Sequence, residues 1–149
     1  MINAYAASEP KGKLEPFAYD PGELKPHEVE IDIHSCGICH SDLSVIDNEW
    51  GNAQYPVVPG HEVVGTIAKT GENAGHLTVG QPVGLGWHAG YCNHCAPCHA
   101  GDHNLCANSQ ATIIGHHGGF ADKVRAAANS VIPIPEGLDL ASAGPLFCG

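Results

Sequence analysis

The sequence predicts a mostly β domain, arranged as a small, partly open barrel with short helices and one metal-binding loop. Glycine and proline are abundant, at 19 and 11 of 149 residues, which favours turns and short strands over a helical bundle. Val29, Ile31 and Ile33 alternate with polar residues, which is the period of a half-buried strand. Four cysteines crowd the segment 92–106, whose other residues are mostly typical of loops.

The remaining elements follow from local patterns along the chain. The short apolar segments 1–8 and 14–18 are predicted to pair as an edge, and residues 41–46 are predicted to form a short helix. Four further strands are predicted at 62–69, 81–87, 120–127 and 130–134. Gly65 indicates a bulge within the first of these strands. Asp139 is a candidate N-cap residue, which predicts a short helix over 139–143.

Length and charge restrict the possible classes of function. A chain of 149 residues corresponds to one domain that can bury a core without disulfides. The formal net charge of −10, with no run of basic residues, argues against nucleic acid and membrane surfaces as partners. The chain shows neither a signal peptide nor an apolar stretch of membrane-spanning length, and its cysteine count of seven is odd. We therefore expect a cytoplasmic protein with reduced, metal-binding cysteines.

The clustered cysteines have the spacing C-x2-C-x2-C-x7-C, and are Cys92, Cys95, Cys98 and Cys106. Thiolates are soft ligands, and four of them in one loop suit a closed, tetrahedral structural zinc site. The alternative is a set of ordinary buried thiols, which this spacing makes the weaker interpretation.

A second set of potential ligands is dispersed along the chain. Cys39 lies at a strand-to-helix turn, His61 precedes a strand, and Cys148 lies near the last residue. Two thiolates and one imidazole leave one tetrahedral position open, which is the pattern of a catalytic zinc site. Glu62 is a candidate extra ligand, and Asp42 is a candidate acceptor for the other ring nitrogen of His61. Each residue alone would more often be an ordinary structural residue, but together they favour a site.

The open position suggests a reaction class. Zinc is a Lewis acid that can activate an alcohol or polarise a carbonyl group, so that a hydride passes between carbon and a nicotinamide. The Ser41 hydroxyl is a candidate first member of the proton relay, although it could equally bond its own backbone. Cys36 imitates a metal knuckle together with Cys39, but is better interpreted as a small packed residue.

Three motifs together resemble zinc-dependent medium-chain alcohol dehydrogenases. They are CGICHSDL at 36–43, PGHEVVG at 59–65 and the cysteine loop at 92–106. The segments NEWG at 48–51 and Tyr-Pro at 55–56 are most similar to the cinnamyl-alcohol-dehydrogenase branch. The resemblance covers nearly the whole chain and implies a GroES-like catalytic domain.

The resemblance also implies roles for individual residues. It makes Cys39, His61 and Cys148 the catalytic zinc ligands, with Glu62 as the alternate ligand, and assigns the cysteine loop to the structural zinc. Two zinc ions per chain are therefore expected. The resemblance further implies that Ser41 contacts the substrate oxygen and that Trp50 lines the substrate pocket. It also implies that His40 contacts the cofactor pyrophosphate.

Two departures from the family pattern stand out. Many members carry an outer proton-relay histidine where this chain has Ser44, and members are more than twice this length. No glycine-rich nucleotide motif opens a helix, because Gly84-Leu85-Gly86 runs into the cysteine loop instead. We therefore expect residues 1–149 to be a truncated catalytic domain that lacks the nucleotide-binding domain. NAD or NADP, and possible homo-oligomer formation, are then expected of the full-length enzyme.

The predicted function is catalysis: a zinc-dependent alcohol dehydrogenase that interconverts primary alcohols and aldehydes with NAD(P), inactive in this chain without the cofactor domain. The alternative is a non-catalytic, zinc-stabilised β-barrel that acts as a binding module. Cys148 distinguishes the two, since a binding module has no need of a third ligand there. A zinc hydrolase is a third possibility that the open site permits in principle.

Overall fold

The computed structural model describes residues 1–148, which form one strongly curved antiparallel sheet with two small two-stranded additions. The strands in chain order are β1 (Ile2–Ala6), β2 (Glu15–Tyr19), β3 (Glu28–Cys36), β4 (Val63–Thr70), β5 (Pro82–Leu85), β6 (His88–Gly90), β7 (Gln110–Ala111), β8 (Lys123–Ala127) and β9 (Val131–Pro133). The α-helices are α1 (His40–Ile46) and α2 (Ala96–Ala100). Short 3-10 helices cover His103–Leu105, Ala128–Ser130 and Gly144–Phe147.

The five strands of the main sheet are ordered β8-β3-β4-β5-β9, and all neighbours are antiparallel. Strands β1 and β2 pair as a separate ribbon, as predicted, while β6 and β7 frame the cysteine segment. This half-open, mostly β architecture with few helices confirms the predicted fold class. Within residues 1–148, every helix falls short of the length and apolar character that a bilayer crossing requires.

The main core is built from valines, isoleucines, leucines and alanines, and the β-branched residues among them favour strands. Val29 and Ile31 of β3 are fully buried, as their alternation predicts, but Glu30 between them is buried as well. Arg125 of β8 compensates this carboxylate, with its Nε and Nη2 atoms at 3.0 and 2.9 Å from Glu30 Oε2. Lys69 of β4 lies on the other side, 3.4 Å from Oε1.

Two local predictions were wrong or displaced. Residues 139–143 form turns rather than a helix, because the Asp139 carboxylate bonds the Ala141 amide and the Ser142 hydroxyl, and the helical residues begin only at Gly144. The bulge lies beside Gly65, but the extra residue is His34 on the facing strand β3. Gly65 is required there because a Cβ would overlap the Asp32 carbonyl oxygen.

Candidate metal centres

The first candidate centre is the lobe between β6 and β7, which contains the four clustered cysteines. One sulfur from each of Cys92, Cys95, Cys98 and Cys106 lies within 4.8 Å of the other three. Cys92 Sγ is 3.5 Å from Cys106 Sγ and 4.0 Å from Cys98 Sγ. Two sulfurs bound to one tetrahedral zinc are separated by about 3.8 Å, so these two distances are close to those that the ion requires.

Local turn chemistry folds this lobe. Cys95 is the N-cap residue of α2, Pro97 lies in the first turn, and Gly101 ends the helix in the left-handed conformation at φ 87°. Asn93 also adopts positive φ, in the turn between Cys92 and Cys95. The His94 backbone N–H is the main group that lowers the pKa of Cys92, to about 6, which favours the thiolate that a metal requires.

The second candidate centre, called the cleft below, lies beside the N-terminus of α1 and comprises Cys39, His61, Glu62 and Cys148. Ligand atoms of Cys39, His61, Glu62 and Cys148 all lie within 4.8 Å of one another. The Sγ atoms of Cys39 and Cys148 are 3.8 Å apart, which is again about the spacing of two sulfurs on tetrahedral zinc. His61 and Glu62 are buried, whereas Cys148 is exposed, so the cluster is open on one side.

The Asp42 carboxylate, which is 2% exposed, organises this cluster from beneath. Its Oδ2 accepts the backbone N–H of Cys39 at 3.0 Å, and its Oδ1 accepts that of Gly60 at 2.8 Å. The same Oδ1 lies 2.9 Å from His61 Nδ1, where it accepts the ring N–H. This one buried side chain therefore fixes the start of α1, next to Cys39, relative to the loop that carries His61.

His61 is oriented as a ligand. Its ring is fully buried, and its Nε2 atom has no hydrogen-bond partner among the described residues. An unpaired buried nitrogen costs free energy, so a group that binds Nε2 would relieve a defect that the fold otherwise carries. Burial opposes the charged imidazole, but the hydrogen bond and charge of Asp42, together with those of Cys39, outweigh it and raise the pKa of His61, which makes Nε2 a stronger metal ligand.

Comparison with known proteins identifies the family. Residues 25–136 match the family described as the alcohol dehydrogenase GroES-like domain. The chain belongs to this family. This confirms the resemblance that the sequence motifs indicated.

Relatives of this GroES-like domain include reductases and dehydrogenases. The chain is 63% identical over 149 residues, its full length, to the aldehyde reductase AdhA of Synechocystis sp., and covers 44% of that protein. A probable cinnamyl alcohol dehydrogenase 9 of Oryza sativa is 42% identical over 156 residues, with 98% of this chain and 42% of the relative covered. The chain thus spans less than half the length of these relatives.

Solved structures agree with the family. A cinnamyl alcohol dehydrogenase of Sorghum bicolor matches with a TM-score of 0.92 and 37% identity, over 99% of this chain and 44% of the other. A cinnamyl alcohol dehydrogenase of Helicobacter pylori, complexed with NADP(H), matches with a TM-score of 0.93 and 28% identity, over 99% and 45% of the two chains.

The Ser41 side chain lies beside the cleft of this GroES-like domain. Its backbone N–H, and to a lesser extent its hydroxyl, bond the Cys39 sulfur and lower the pKa of that thiol. Burial, in contrast, raises the pKa of the Cys36 thiol to about 12, and Cys36 packs against the main core instead of joining either cluster. Burial dominates at Cys36, whereas a backbone N–H dominates at Cys39, and this difference separates a packing residue from a candidate ligand three positions away.

The other predicted contact residues lie further out. His40 is exposed at the first residue of α1, and Trp50 is 49% exposed at the rim of the cleft. Ser44, which stands where the resemblance implied an outer relay histidine in many members, is buried and donates its hydroxyl to Glu49 Oε2 at 2.7 Å. The hydroxyl is therefore paired with the carboxylate of an exposed residue.

Sequence reasoning missed Trp87 as a residue of the site. Its ring lies edge-on to His61, with centroids 5.1 Å apart at 86°, and meets Trp50 at 5.8 Å and 69°. The strand register contained the signal: because Val63 pairs with Leu85, the residues two steps outward on each strand, His61 and Trp87, face each other. The two indoles form an apolar wall beside the candidate metal ligands.

Proposed function

We propose that this GroES-like domain is the catalytic domain of a zinc-dependent alcohol dehydrogenase, which interconverts primary alcohols and aldehydes with NAD(P). The buried Nε2 of His61, which has no hydrogen-bond partner within residues 1–148 and clusters with the thiols of Cys39 and Cys148, carries this proposal. A set of two thiolates and one imidazole is typical of catalytic zinc, because it leaves a coordination position open. The bound zinc would supply a Lewis acid that polarises the substrate oxygen.

The residues of the chain divide the remaining work. Asp42 fixes the tautomer of His61 and holds Cys39 in place, and Glu62 is the alternate ligand at the buried side. The Ser41 hydroxyl would relay the proton: on oxidation it accepts the alcohol proton while it passes its own proton to solvent, and on reduction the transfers run in the opposite direction. The hydrogen on carbon leaves with its electron pair as hydride to the oxidised nicotinamide, so that the products are the aldehyde, the reduced nicotinamide and one proton in solvent.

The proposed substrate is an alcohol or aldehyde with an apolar body. Trp50 and Trp87 line the cleft next to the ligand cluster, and their edge-to-face contact gives a firm wall against which a flat or aliphatic substrate can pack. This wall supports the relation to relatives named as aldehyde reductase and cinnamyl alcohol dehydrogenase.

The cofactor requires residues beyond this domain. The relative from Helicobacter pylori holds NADP(H), which supports NADP as the partner of this enzyme as well. The sequence offers no glycine-rich turn that would hold a pyrophosphate at a helix N-terminus. We propose that the nucleotide is bound by another part of the enzyme, with the exposed His40 directed toward its pyrophosphate.

Two measurements test the proposal. Elemental analysis of the purified chain should give about two zinc ions, and Cys148→Ser should lower the content to about one while the lobe keeps its ion. An enzyme that contains this domain should then reduce cinnamaldehyde with NADPH, and His61→Ala should abolish that turnover. Zinc in the cleft without aldehyde reduction would instead favour the binding module, and ester cleavage would favour the hydrolase.

A further inference from the structure

The third cleft ligand, Cys148, reaches the site on a segment with little structure of its own. It follows the four-residue 3-10 helix Gly144–Phe147 and is exposed, with its backbone N–H on the Pro145 carbonyl at 3.2 Å. Such a short helix cannot fix a ligand unless something packs against it. Contacts to β4 and β5 must therefore set the position of this sulfur.

Phe147 makes the decisive contact. Its ring tip points directly at the Cα atom of Gly84 on β5, so that any Cβ at that position would occupy the ring's volume. The carbonyl oxygen of Phe147 lies over Gly86, where a Cβ would come within 2.6 Å of it. Gly84 on β5 and Gly86, the residue directly after β5, both face Phe147, while Leu85 between them belongs to the main core.

The start of the segment is docked in the same manner. A Cβ on Gly144 would lie 3.0 Å from the Glu62 carbonyl oxygen and 3.3 Å from the Gly37 nitrogen. The segment is thus held at one end by the backbone next to His61 and at the other by β5. Ala143, which is fully buried against Val64 of β4, adds an apolar anchor.

We infer that Gly84 and Gly86 form a seat for Phe147 that positions Cys148 as a metal ligand. This role rests on the proposed cleft site. It accounts for the two glycines of Gly84-Leu85-Gly86, which do not form a phosphate-binding turn. Neither glycine has positive φ, so the requirement is for space and not for backbone freedom. Gly84 and Phe147 are positioning residues: they act on the metal only through Cys148.

The test compares zinc content and zinc affinity of the purified chain and its variants by chelator competition, with urea unfolding as the control for folding. Gly84→Ala should displace Phe147 and lower the zinc content from about two to about one per chain. Phe147→Ala leaves β5 unchanged but removes the anchor, and should weaken the cleft site about tenfold or more. The lobe zinc should remain in both variants.

Matched controls separate the seat from general damage. Gly75→Ala adds a Cβ where no atom lies within 4 Å, and Leu146→Ala removes a side chain that is 66% exposed beside Phe147. Both should keep two zinc ions with unchanged affinity. Full occupancy and unchanged affinity in Gly84→Ala and Phe147→Ala would overturn the seat. A wild-type chain with only one zinc would overturn the proposed cleft site itself, and these two failures are distinguishable.

Discussion

The two candidate metal centres are built in opposite ways. The lobe draws all four sulfurs from the continuous segment 92–106, whereas the cleft draws its ligands from positions 39, 61, 62 and 148. The lobe geometry depends on local turns, including the left-handed Gly101 and Asn93. The cleft geometry depends on the pairing of β3, β4 and β5 and on the packing of the segment that ends at Cys148.

This contrast has an energetic consequence. Bringing together ligands of a short loop costs little chain entropy, so a metal can organise the lobe largely by itself. The cleft ligands are separated by long stretches of chain, and the folded sheet must bring them together before a metal can bind. We expect that the lobe folds only when its zinc is bound. We expect that the cleft binds zinc only after the sheet has folded.

The largest effect should come from Cys98→Ser. Loss of one of four ligands should release the lobe zinc and lower the free energy of unfolding by about 4 kcal/mol or more, since the lobe has lost its metal. Residues 92–106 should become accessible to protease while the cleft zinc remains. Elemental analysis and limited proteolysis measure both. Cys36→Ser, which also removes a thiol but not a predicted ligand, is the control; loss of both zinc ions in Cys98→Ser would show that the centres are not independent.

Asp42→Asn should have the next largest effect, confined to the cleft. An amide cannot accept all the hydrogen bonds that the carboxylate takes from Cys39, Gly60 and His61, so the imidazole loses its fixed orientation. Zinc affinity of the cleft should fall about 10- to 100-fold. Chelator competition measures this fall, with Asp47→Asn at the end of the same helix as the control. An equal loss from the lobe would contradict the separation of the two centres.

The same contrast explains how much of the molecule the sequence predicts. The spacing of Cys92, Cys95, Cys98 and Cys106 alone predicts the lobe cluster, because ligands so near in the chain must also lie near in space. The strand β3 and the pairing of β1 with β2 follow from alternation and from short apolar segments. These features depend on residues that are neighbours in the chain.

What the sequence did not predict depends on distant contacts. Trp87 enters the cleft only through the register of β4 with β5, and Gly84 is explained only by Phe147, 63 residues later by their numbering. The helix predicted over 139–143 was wrong because the side chain of Asp139 bonds the turn that follows it. Alternation predicts that Glu30 is exposed, but it is buried because Arg125 and Lys69 on the neighbouring strands pair with its carboxylate.

Glu30→Gln should have a smaller effect, on the sheet that supports the cleft. Burial opposes the charged carboxylate, but the Arg125 hydrogen bond and the nearby Lys69 lower the pKa of Glu30 below its ordinary value. The ionised form therefore stabilises the fold above the unfolded pKa of about 4.5, and this contribution is lost as the pH falls through the folded pKa. At pH 7 the variant should lose about 1.5 kcal/mol, because glutamine keeps one acceptor.

Urea unfolding from pH 7 to pH 3.5 tests this assignment. The gap between wild type and Glu30→Gln should close on acidification, while metal release at low pH affects both proteins alike and cancels in the difference. Glu72→Gln, at an exposed position, should show no gap at any pH. A gap that persists unchanged at pH 3.5 would mean that the charge of Glu30 is not what stabilises the sheet. Lobe zinc at pH 7 should be the same in all three proteins.

The smallest effect should come from the polar link between the lobe and the sheet. The Asn129 side-chain amide donates to the Asn93 side-chain oxygen. Asn129→Ala removes this contact at the exposed middle residue of the 3-10 helix Ala128–Ser130, whereas replacing Asn93 would also strain a residue at φ 64°. If the lobe folds on its own metal, Asn129→Ala should change the unfolding free energy by less than about 0.5 kcal/mol and leave its zinc affinity unchanged. A tenfold loss of lobe affinity in this variant would show that the sheet, and not the cysteine spacing alone, holds the lobe in its binding geometry.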